Sequence, residues 1–255
     1  MTRGAKMSNK FQRTELLFGE ESMQKLYNSR VAVFGIGGVG GYVAEALARS
    51  GVGEIDLFDD DTVSESNINR QIIATIDTIG KNKVDVMKER ILSINPDAKV
   101  NAYKCFFMPD NSCEFDFSEY TYVVDAIDTV TGKIEIIMRA NEASVPVISV
   151  MGAGNKLAPT QFEVSDIYKT QNCPLARTMR REMKKRGIKK LKVVYSKEIP
   201  VIKGIESEED NMQSRSGSPK KVVPGSCAFV PAVAGLVAAG EGIKDIAKGV
   251  GEFEK

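Results

Sequence analysis

Short apolar runs alternate with stretches of helical periodicity along the first 150 residues. The runs at 31–34, 55–58 and 122–127 are mainly apolar, as is typical of parallel strands buried on both faces. Apolar residues recur at helical spacing over about 38–50 and 81–93. The alternation predicts an α/β fold: an open, mostly parallel sheet with helices on both faces.

A glycine-rich turn follows the first predicted strand. Gly35, Gly37 and Gly40 have the Gly-x-Gly-x-x-Gly spacing, and Gly38 lies within it. Such glycines permit a tight turn, let the backbone approach a phosphate and let the helix pack on the strand. Asp59 follows the second strand, where a ribose hydroxyl would be held. The spacing predicts a Rossmann-like nucleotide site.

Polar side chains beyond this acid favour a polyphosphate. They are Asn67, Arg70, Gln71, Lys83 and Asp128. Strand ends at the carboxyl edge of an open sheet build the sites of such folds. An acid for Mg²⁺, two cations and the glycine turn could therefore meet on one phosphate chain. A nicotinamide-dependent oxidoreductase is an alternative, but it leaves Asn67, Arg70 and Lys83 unexplained.

The glycine turn, the string Asp59-Asp-Asp-Thr-Val-Ser-Glu-Ser-Asn-Ile-Asn-Arg-Gln71 and the later lysine resemble the ubiquitin-activating-enzyme superfamily of adenylyltransferases. The resemblance implies ATP as substrate, with Asp59 on the ribose and Asp128 on Mg²⁺. It assigns Asn67, Arg70, Gln71 and Lys83 to the phosphates, and Asp61 belongs to the same ATP-binding string. Arg13 matches an N-terminal arginine that in this superfamily usually reaches the partner subunit's ATP, which implies a homodimer. The catalytic set implied is Arg13, Asn67, Arg70, Lys83 and Asp128.

The chain has 255 residues and a net charge of +1, which suits one large α/β domain. We expect this domain to span 10–255. Its parts are a nucleotide core at 30–155, a basic helix and mobile loop at 165–222, and a C-terminal helix at 227–248. Residues 1–9 are polar, and we expect them to be frayed.

Basic charge is concentrated between 169 and 192, which holds ten Lys or Arg residues against one acid, Glu182. Leu175, Met179 and Met183 recur every four residues and predict an amphipathic helix with a narrow buried stripe. The basic surface is either a solvated face or a contact surface for a nucleic-acid backbone. We favour the second interpretation, with tRNA-binding residues Arg177, Arg180, Arg181, Lys184 and Lys185.

Three segments, at 166–170, 173–177 and 225–241, resemble one branch of the superfamily. Members of that branch, the tRNA threonylcarbamoyladenosine dehydratases, use ATP to cyclise the threonylcarbamoyl group on an adenosine beside the anticodon. The alternative within the superfamily is an adenylyltransferase acting on the C-terminus of a ubiquitin-like sulfur-carrier protein. The resemblance also leaves a sulfur-relay protein open as a partner.

The cysteines and the lack of histidine bear on that choice. There are four cysteines, no Cys-x-x-Cys pair and no histidine, so the structural zinc site of sulfur-carrier-activating relatives lacks its ligands. Scattered cysteines suit a reducing cytoplasm. Cys173 opens the basic helix and is either a thiol of lowered pKa or a small helix-start residue.

The stretch 222–240 is uncharged for nineteen residues, which nominally reaches membrane-spanning length. Its prolines, glycines and alanines make its hydrophobicity modest. We interpret Pro231 as the first turn of a helix that packs on the sheet. We therefore do not expect a membrane span.

Overall fold

The computed structural model describes residues 10–201 and 224–248. Within them lies one seven-stranded sheet of order β3-β2-β1-β4-β5-β7-β6, in which every neighbouring pair is parallel except β6 and β7. This confirms the predicted open, mostly parallel sheet. The strands are β1 Arg30–Phe34, β2 Glu54–Phe58, β3 Lys99–Tyr103, β4 Tyr122–Asp125, β5 Val147–Val150, β6 Phe162–Asp166 and β7 Lys192–Ser196.

Helices cover both faces of the sheet. Alternate residues of β1 show the two sides: Val31 and Val33 face a core shared with α3, whereas Ala32 and Phe34 face a second core. Helices α2, α3, α4 and α7 pack on the first side, and α5 and α6 lie on the second. The helices are α1 Gln12–Phe18, α2 Glu20–Tyr27, α3 Gly40–Arg49, α4 Lys83–Ile94, α5 Val130–Glu142, α6 Pro174–Lys185 and α7 Phe229–Lys248.

The third predicted strand is shorter than expected. β4 ends at Asp125 instead of residue 127. The amide of Ala126 still bonds to Phe34 O at 2.9 Å, and the chain then turns towards α5. Residues 126–129 therefore form a loop at the carboxyl edge of the sheet, and Asp128 lies in this loop instead of at a strand end.

The C-terminal helix begins two residues later than predicted, and Pro231 lies in its first turn. It packs on the sheet as expected: Tyr122 Oη on β4 donates to Asp245 Oδ2 at 2.7 Å. Gly235 passes so close to α3 that a Cβ there would lie 2.4 Å from Val39 O. Among the described residues, no helix is long and apolar enough to cross a membrane.

Some predictions concern residues outside the described ranges. They are the expected fraying of residues 1–9 and the expected mobile loop in the later part of 165–222. The division of 10–255 into a nucleotide core and later parts stays a prediction.

Candidate active site

The candidate cleft lies at the carboxyl edge of the sheet, where β1 adjoins both β2 and β4. The strand order reverses at this point: the chain continues from β1 to β2 and β3 on one side and then crosses to β4 on the other, as at the ligand-binding crevice of open α/β sheets. The cleft has a volume of about 520 Å³. Of the predicted nucleotide residues, its walls include Gly35, Gly37, Gly38, Asp59, Asp61, Arg70, Gln71, Lys83 and Asp128.

The glycines of the turn have distinct steric roles. Gly35 has φ +88°, and a Cβ there would lie 2.9 Å from Ala126 O. A Cβ on Gly40 would lie 1.7 Å from Gly35 O, so Gly40 permits the helix to pack on the turn instead of lining the cleft. Gly37 and Gly38 line it. Side chains at 35 or 40 would therefore displace the turn itself.

Asp59 connects β2 to the glycine turn. Its carboxylate accepts from Ile36 N at 2.6 Å and from Asp61 N at 2.9 Å. Burial raises the pKa of Asp59, although the charge of Lys83 and these two amides act in the opposite direction. The carboxylate is thus held at the cleft wall in one orientation, in the place predicted for a ribose contact.

Lys83 is the first residue of α4 and is 5% exposed. Its Nζ lies 2.8 Å from Asp61 Oδ2 and 3.9 Å from Asp59 Oδ1. The two carboxylates follow the neighbouring strand β2 and hold the ammonium at the cleft. The Asp61 side chain is 61% exposed, so solvent screens its attraction to Lys83. The phosphate contact of Lys83 stays a prediction.

Arg70 and Gln71 lie next to the glycine turn. Arg70 donates to Ser66 O at 2.8 Å and to Asn69 Oδ1 at 3.1 Å, and burial lowers its pKa. Gln71 is 6% exposed, and its Oε1 has no hydrogen-bond partner among the described residues. Because such a buried atom is costly to leave unbonded, the carboxamide suits a bound ligand.

Asn67 and Asp128 differ in availability. Asn67 does not line the cleft: its Oδ1 accepts from Ser64 N at 3.2 Å and caps a short 3₁₀ turn. Its phosphate contact stays a prediction. Asp128 is exposed in the cleft, and the hydroxyl of Thr129 lies 3.5 Å from its Oδ1. The acid is therefore the more available ligand of the two.

Arg13 lies far from the cleft of its own chain. It is exposed on α1. The preceding residues anchor α1 at the amino edge of the sheet: Lys10 pairs at 2.7 Å with Asp97, just before β3, and the Phe11 ring packs on Tyr27, just before β1. The structure therefore does not bring Arg13 together with the other predicted residues within one chain.

Helix α6 confirms the predicted amphipathic segment. Met179 and Met183 are fully buried, together with Ala176, while Leu175 is half-buried. Arg177, Arg181, Lys184 and Lys185 are exposed, and we refer to these four as the basic face. Arg180 differs, because it is half-buried and its guanidinium bonds to Thr170 O at 2.8 Å. This hydrogen bond holds the loop that precedes α6, and it competes with the predicted contact between Arg180 and tRNA.

Cys173 is the N-cap of α6 and is 4% exposed. Its burial among apolar side chains favours the helix-start interpretation over a reactive thiol. The described part of the chain contains all four cysteines, and all are free.

Several cleft residues were not among the predicted site residues. They are Cys105, Phe106, Phe107, Ala153, Gly154, Ser226 and Pro231. Burial, together with nearby carboxylates, raises the pKa of the Cys105 thiol to about 11. Residues 105–107 follow β3, which was not among the predicted strands. Ser226 lies in the segment 225–241 that resembles the dehydratase branch, but its place in the cleft was not predicted.

The fold and cleft define a class of protein. A glycine turn at a helix N-terminus, a carboxylate placed for a ribose and converging cations are suited to bind a nucleoside triphosphate. An exposed acid nearby suits the metal that accompanies it.

The comparisons with known proteins define that class more narrowly. A model described as the ThiF family matches residues 11–253, and the chain belongs to this family. The tRNA threonylcarbamoyladenosine dehydratase of Bacillus subtilis (strain 168) is 43% identical over 247 residues, covering 96% of this chain and 97% of that protein.

Solved structures agree. The crystal structure of Escherichia coli tRNA N6-threonylcarbamoyladenosine dehydratase in complex with ATP superposes with a TM-score of 0.82 at 35% identity, covering 93% of each chain. Its complex with AMP gives 0.81 at 34% identity, covering 95% of this chain and 97% of that one. The predicted family is confirmed.

Proposed function

We propose that this protein is an ATP-dependent tRNA threonylcarbamoyladenosine dehydratase. It adenylates the carboxylate of the threonylcarbamoyl group on a tRNA adenosine beside the anticodon and then closes a ring with loss of AMP. The observation that carries this is full-length similarity to dehydratases, together with a cleft whose glycine turn, ribose acid and cations fit ATP.

The first step is a displacement at phosphorus. A carboxylate oxygen of the substrate attacks the α-phosphorus, and pyrophosphate leaves. The protein contributes positioning and stabilisation of charge, because little covalent chemistry falls to side chains in such transfers. Arg70 and Lys83 are the cleft cations that oppose the developing negative charge. The unbonded Oε1 of Gln71 is an acceptor and cannot bind a phosphate oxygen, so the predicted phosphate contact of Gln71 would come from its Nε2 donor.

The second step is intramolecular. A urea atom of the same side chain attacks the acyl carbon, the bond between that carbon and the phosphate-bearing oxygen breaks, and the urea releases one proton. AMP thus carries away the oxygen that would otherwise have to leave as hydroxide. Since nucleophile and electrophile belong to one side chain, proximity is already provided. A covalent enzyme intermediate is unnecessary, in keeping with the burial of Cys173. Neither of these two steps transfers sulfur, so a sulfur-relay partner is not required for the reaction.

Asp128 is our candidate to hold Mg²⁺ through the ATP phosphates. Carboxylate oxygens suit this hard cation, and the Asp128 carboxylate is exposed in the cleft. Asp59, Asp60 and Asp61 also have oxygens within 4.8 Å of one another. Two of these acids are already engaged, Asp59 by backbone amides and Asp61 by Lys83, so Asp128 fits better. The metal would neutralise charge on the phosphates.

A homodimer would complete the site with Arg13. Arg13 is anchored at the opposite edge of the sheet from its own cleft, so its predicted contact with ATP requires a second chain. Its helix also exposes Leu16 and Leu17, which are 81% and 79% exposed. Exposed leucines beside the arginine suit burial against a partner subunit.

The basic face of α6 suits the tRNA backbone. The helix begins next to the cleft. Leu175, near its start, packs against Gly152, where an added Cβ would lie 3.9 Å from Leu175 Cβ. Gly154, two residues further along that segment, lines the cleft. From there α6 runs for twelve residues, about 18 Å at the α-helical rise. A stem of tRNA along this helix would bring its adenosine to the cleft.

The free thiols suit a reducing cytoplasm.

Release of pyrophosphate tests the proposal. Wild-type protein should release pyrophosphate from ATP in the presence of tRNA carrying threonylcarbamoyladenosine, and the nucleoside should lose 18 mass units of water, about one product per ATP. Unmodified tRNA is the matched control. Release that requires a ubiquitin-like sulfur-carrier protein instead of the modified tRNA would favour the other adenylyltransferase function.

A further inference from the structure

A buried ammonium lies directly beneath the candidate cleft. Lys133, in the first turn of α5, is 0% exposed. Its Nζ donates to Asp125 Oδ1 at 3.0 Å, to Ile127 O at 2.9 Å and to Val150 O at 2.8 Å. A buried charge is retained at high cost unless it is paired and fully hydrogen-bonded. Here all three ammonium hydrogens have partners.

The acceptors belong to two segments that border the cleft. Asp125 ends β4, and Ile127 immediately precedes Asp128 in the loop after it. Val150 ends β5 and leads into 151–154, whose last two residues line the cleft. One ammonium therefore joins the loop of the metal-binding candidate to the next wall segment.

Asp125, the anionic partner of Lys133, adds further hydrogen bonds between β4, β5 and the loop after β4. Asp125 is also 0% exposed, and its second oxygen accepts from the hydroxyl of Ser149 on β5. Its first oxygen also accepts from Ile127 N at 3.3 Å. The pair is thus held by both strands and by the loop, and none of its atoms lines the cleft.

We propose that Lys133 is a positioning residue for adenylation, acting through Asp128 and the 151–154 segment; this rests on the proposed function. It sets the distance between the metal-binding carboxylate and the wall beside α6. Asp59 and Lys83 are held by separate contacts, and the glycine turn meets the Lys133-bound loop only by packing on Ala126 and Ile127. Loss of Lys133 should therefore slow the chemical step and weaken the use of Mg²⁺, with little effect on ATP affinity.

The test uses the double variant Lys133→Met with Asp125→Asn, which leaves no buried charge unpaired. We expect kcat for tRNA-dependent pyrophosphate release to fall about tenfold or more, on the scale of a small misplacement of reacting groups. Half-maximal Mg²⁺ should rise about fivefold, and the ATP Kd should stay within about threefold of wild type. The matched control is Lys192→Met with Asp245→Asn, an ion pair at 2.7 Å between β7 and α7. It should lower Tm and leave kcat and the Mg²⁺ dependence unchanged.

Wild-type kcat and Mg²⁺ dependence in the folded double variant would overturn the proposal. If that variant does not fold, Lys133→Gln with Asp125→Asn retains an N–H donor and leaves no buried charge unpaired. The same shift in Mg²⁺ dependence is expected of it, and a wild-type Mg²⁺ profile would again overturn the idea. If wild-type protein shows no tRNA-dependent release, the proposed function has failed. The Mg²⁺ dependence of ATP binding, measured by calorimetry on both pairs of variants, then tests the positioning role alone.

Discussion

The cleft and the basic face of α6 use charge in opposite ways. In the cleft, charged groups from separate segments hold one another: Lys83 contacts Asp61 at 2.8 Å, and Asp59 accepts from two backbone amides. On α6, the charges come from one helix, and Arg177, Arg181 and Lys184 are exposed without a side-chain partner among the described residues. The first arrangement is preorganised for one geometry. The second offers an electrostatic surface that tolerates variation in its partner.

The largest expected effect concerns kcat and involves the cleft alone. Arg70→Ala or Asp128→Ala should lower kcat about a hundredfold or more, the scale of losing one transition-state charge contact. Stability should change little because both side chains lie at the cleft surface. Single-turnover kinetics with modified tRNA is the measurement. Glu89→Ala, which removes an exposed acid on the outer surface of α4, is the control. Rates within about threefold of wild type would contradict the catalytic roles of both Arg70 and Asp128.

The next largest effect concerns the affinity of the basic face for tRNA. Changing Arg177, Arg181 and Lys184 together to glutamate should lower tRNA affinity at least about tenfold and reduce the salt slope by about 0.7 to 0.9 per lost phosphate contact. ATP affinity should be unchanged. Arg180 is omitted because it bonds to Thr170.

Equilibrium binding across a salt series measures this effect. A triple reversal at Lys25, Lys99 and Lys104, which are exposed on other elements, changes net charge equally and serves as control. Equal losses in both variants would mean that α6 contributes only to overall charge.

A smaller effect tests whether the cleft is complete within one chain. Arg13→Ala and Asp128→Ala proteins should each be inactive, and an equal mixture should recover about a quarter of wild-type sites, since half of the dimers are mixed and each has one intact site. Subunit exchange is verified with differently tagged chains. Demonstrated mixed dimers without activity would exclude action of Arg13 across the interface.

The smallest effect uses Cys105 as a reporter of cleft occupancy. Burial raises its pKa to about 11, so only about one thiol in a thousand is ionised at pH 8, and alkylation should accelerate as pH rises towards that value. ATP should protect Cys105 but not Cys113, which is exposed outside the cleft. Peptide mass spectrometry follows both. Rapid, ATP-insensitive alkylation of Cys105 at pH 8 would place it outside the nucleotide site.

The two regions also differ in how well sequence predicted them. Asp59, Lys83 and Asp128 lie in the cleft because each follows a predicted strand or opens the next helix, and parallel strands bring their carboxyl ends together. Asn67 was assigned through the resemblance of the 59–71 string, and Arg180 through the basic charge of its segment. Both have hydrogen-bond partners within the chain, at Ser64 and Thr170. Competition between such local partners and a ligand depends on side-chain geometry that residue type does not specify.

The sequence by itself determined the class of the sheet and three of its strands, the glycine turn and the amphipathic α6, because these follow from periodicity and from steric demands between residues close in the chain. Tertiary structure decided which distant residues meet. It placed Arg13 at the edge opposite its own cleft and brought Cys105 and Ser226 to the cleft wall. It also buried Lys133 between the ends of β4 and β5. A lysine in the first turn of a helix is ordinarily solvated, and only the packing of α5 against two particular strands makes its charge an internal connection.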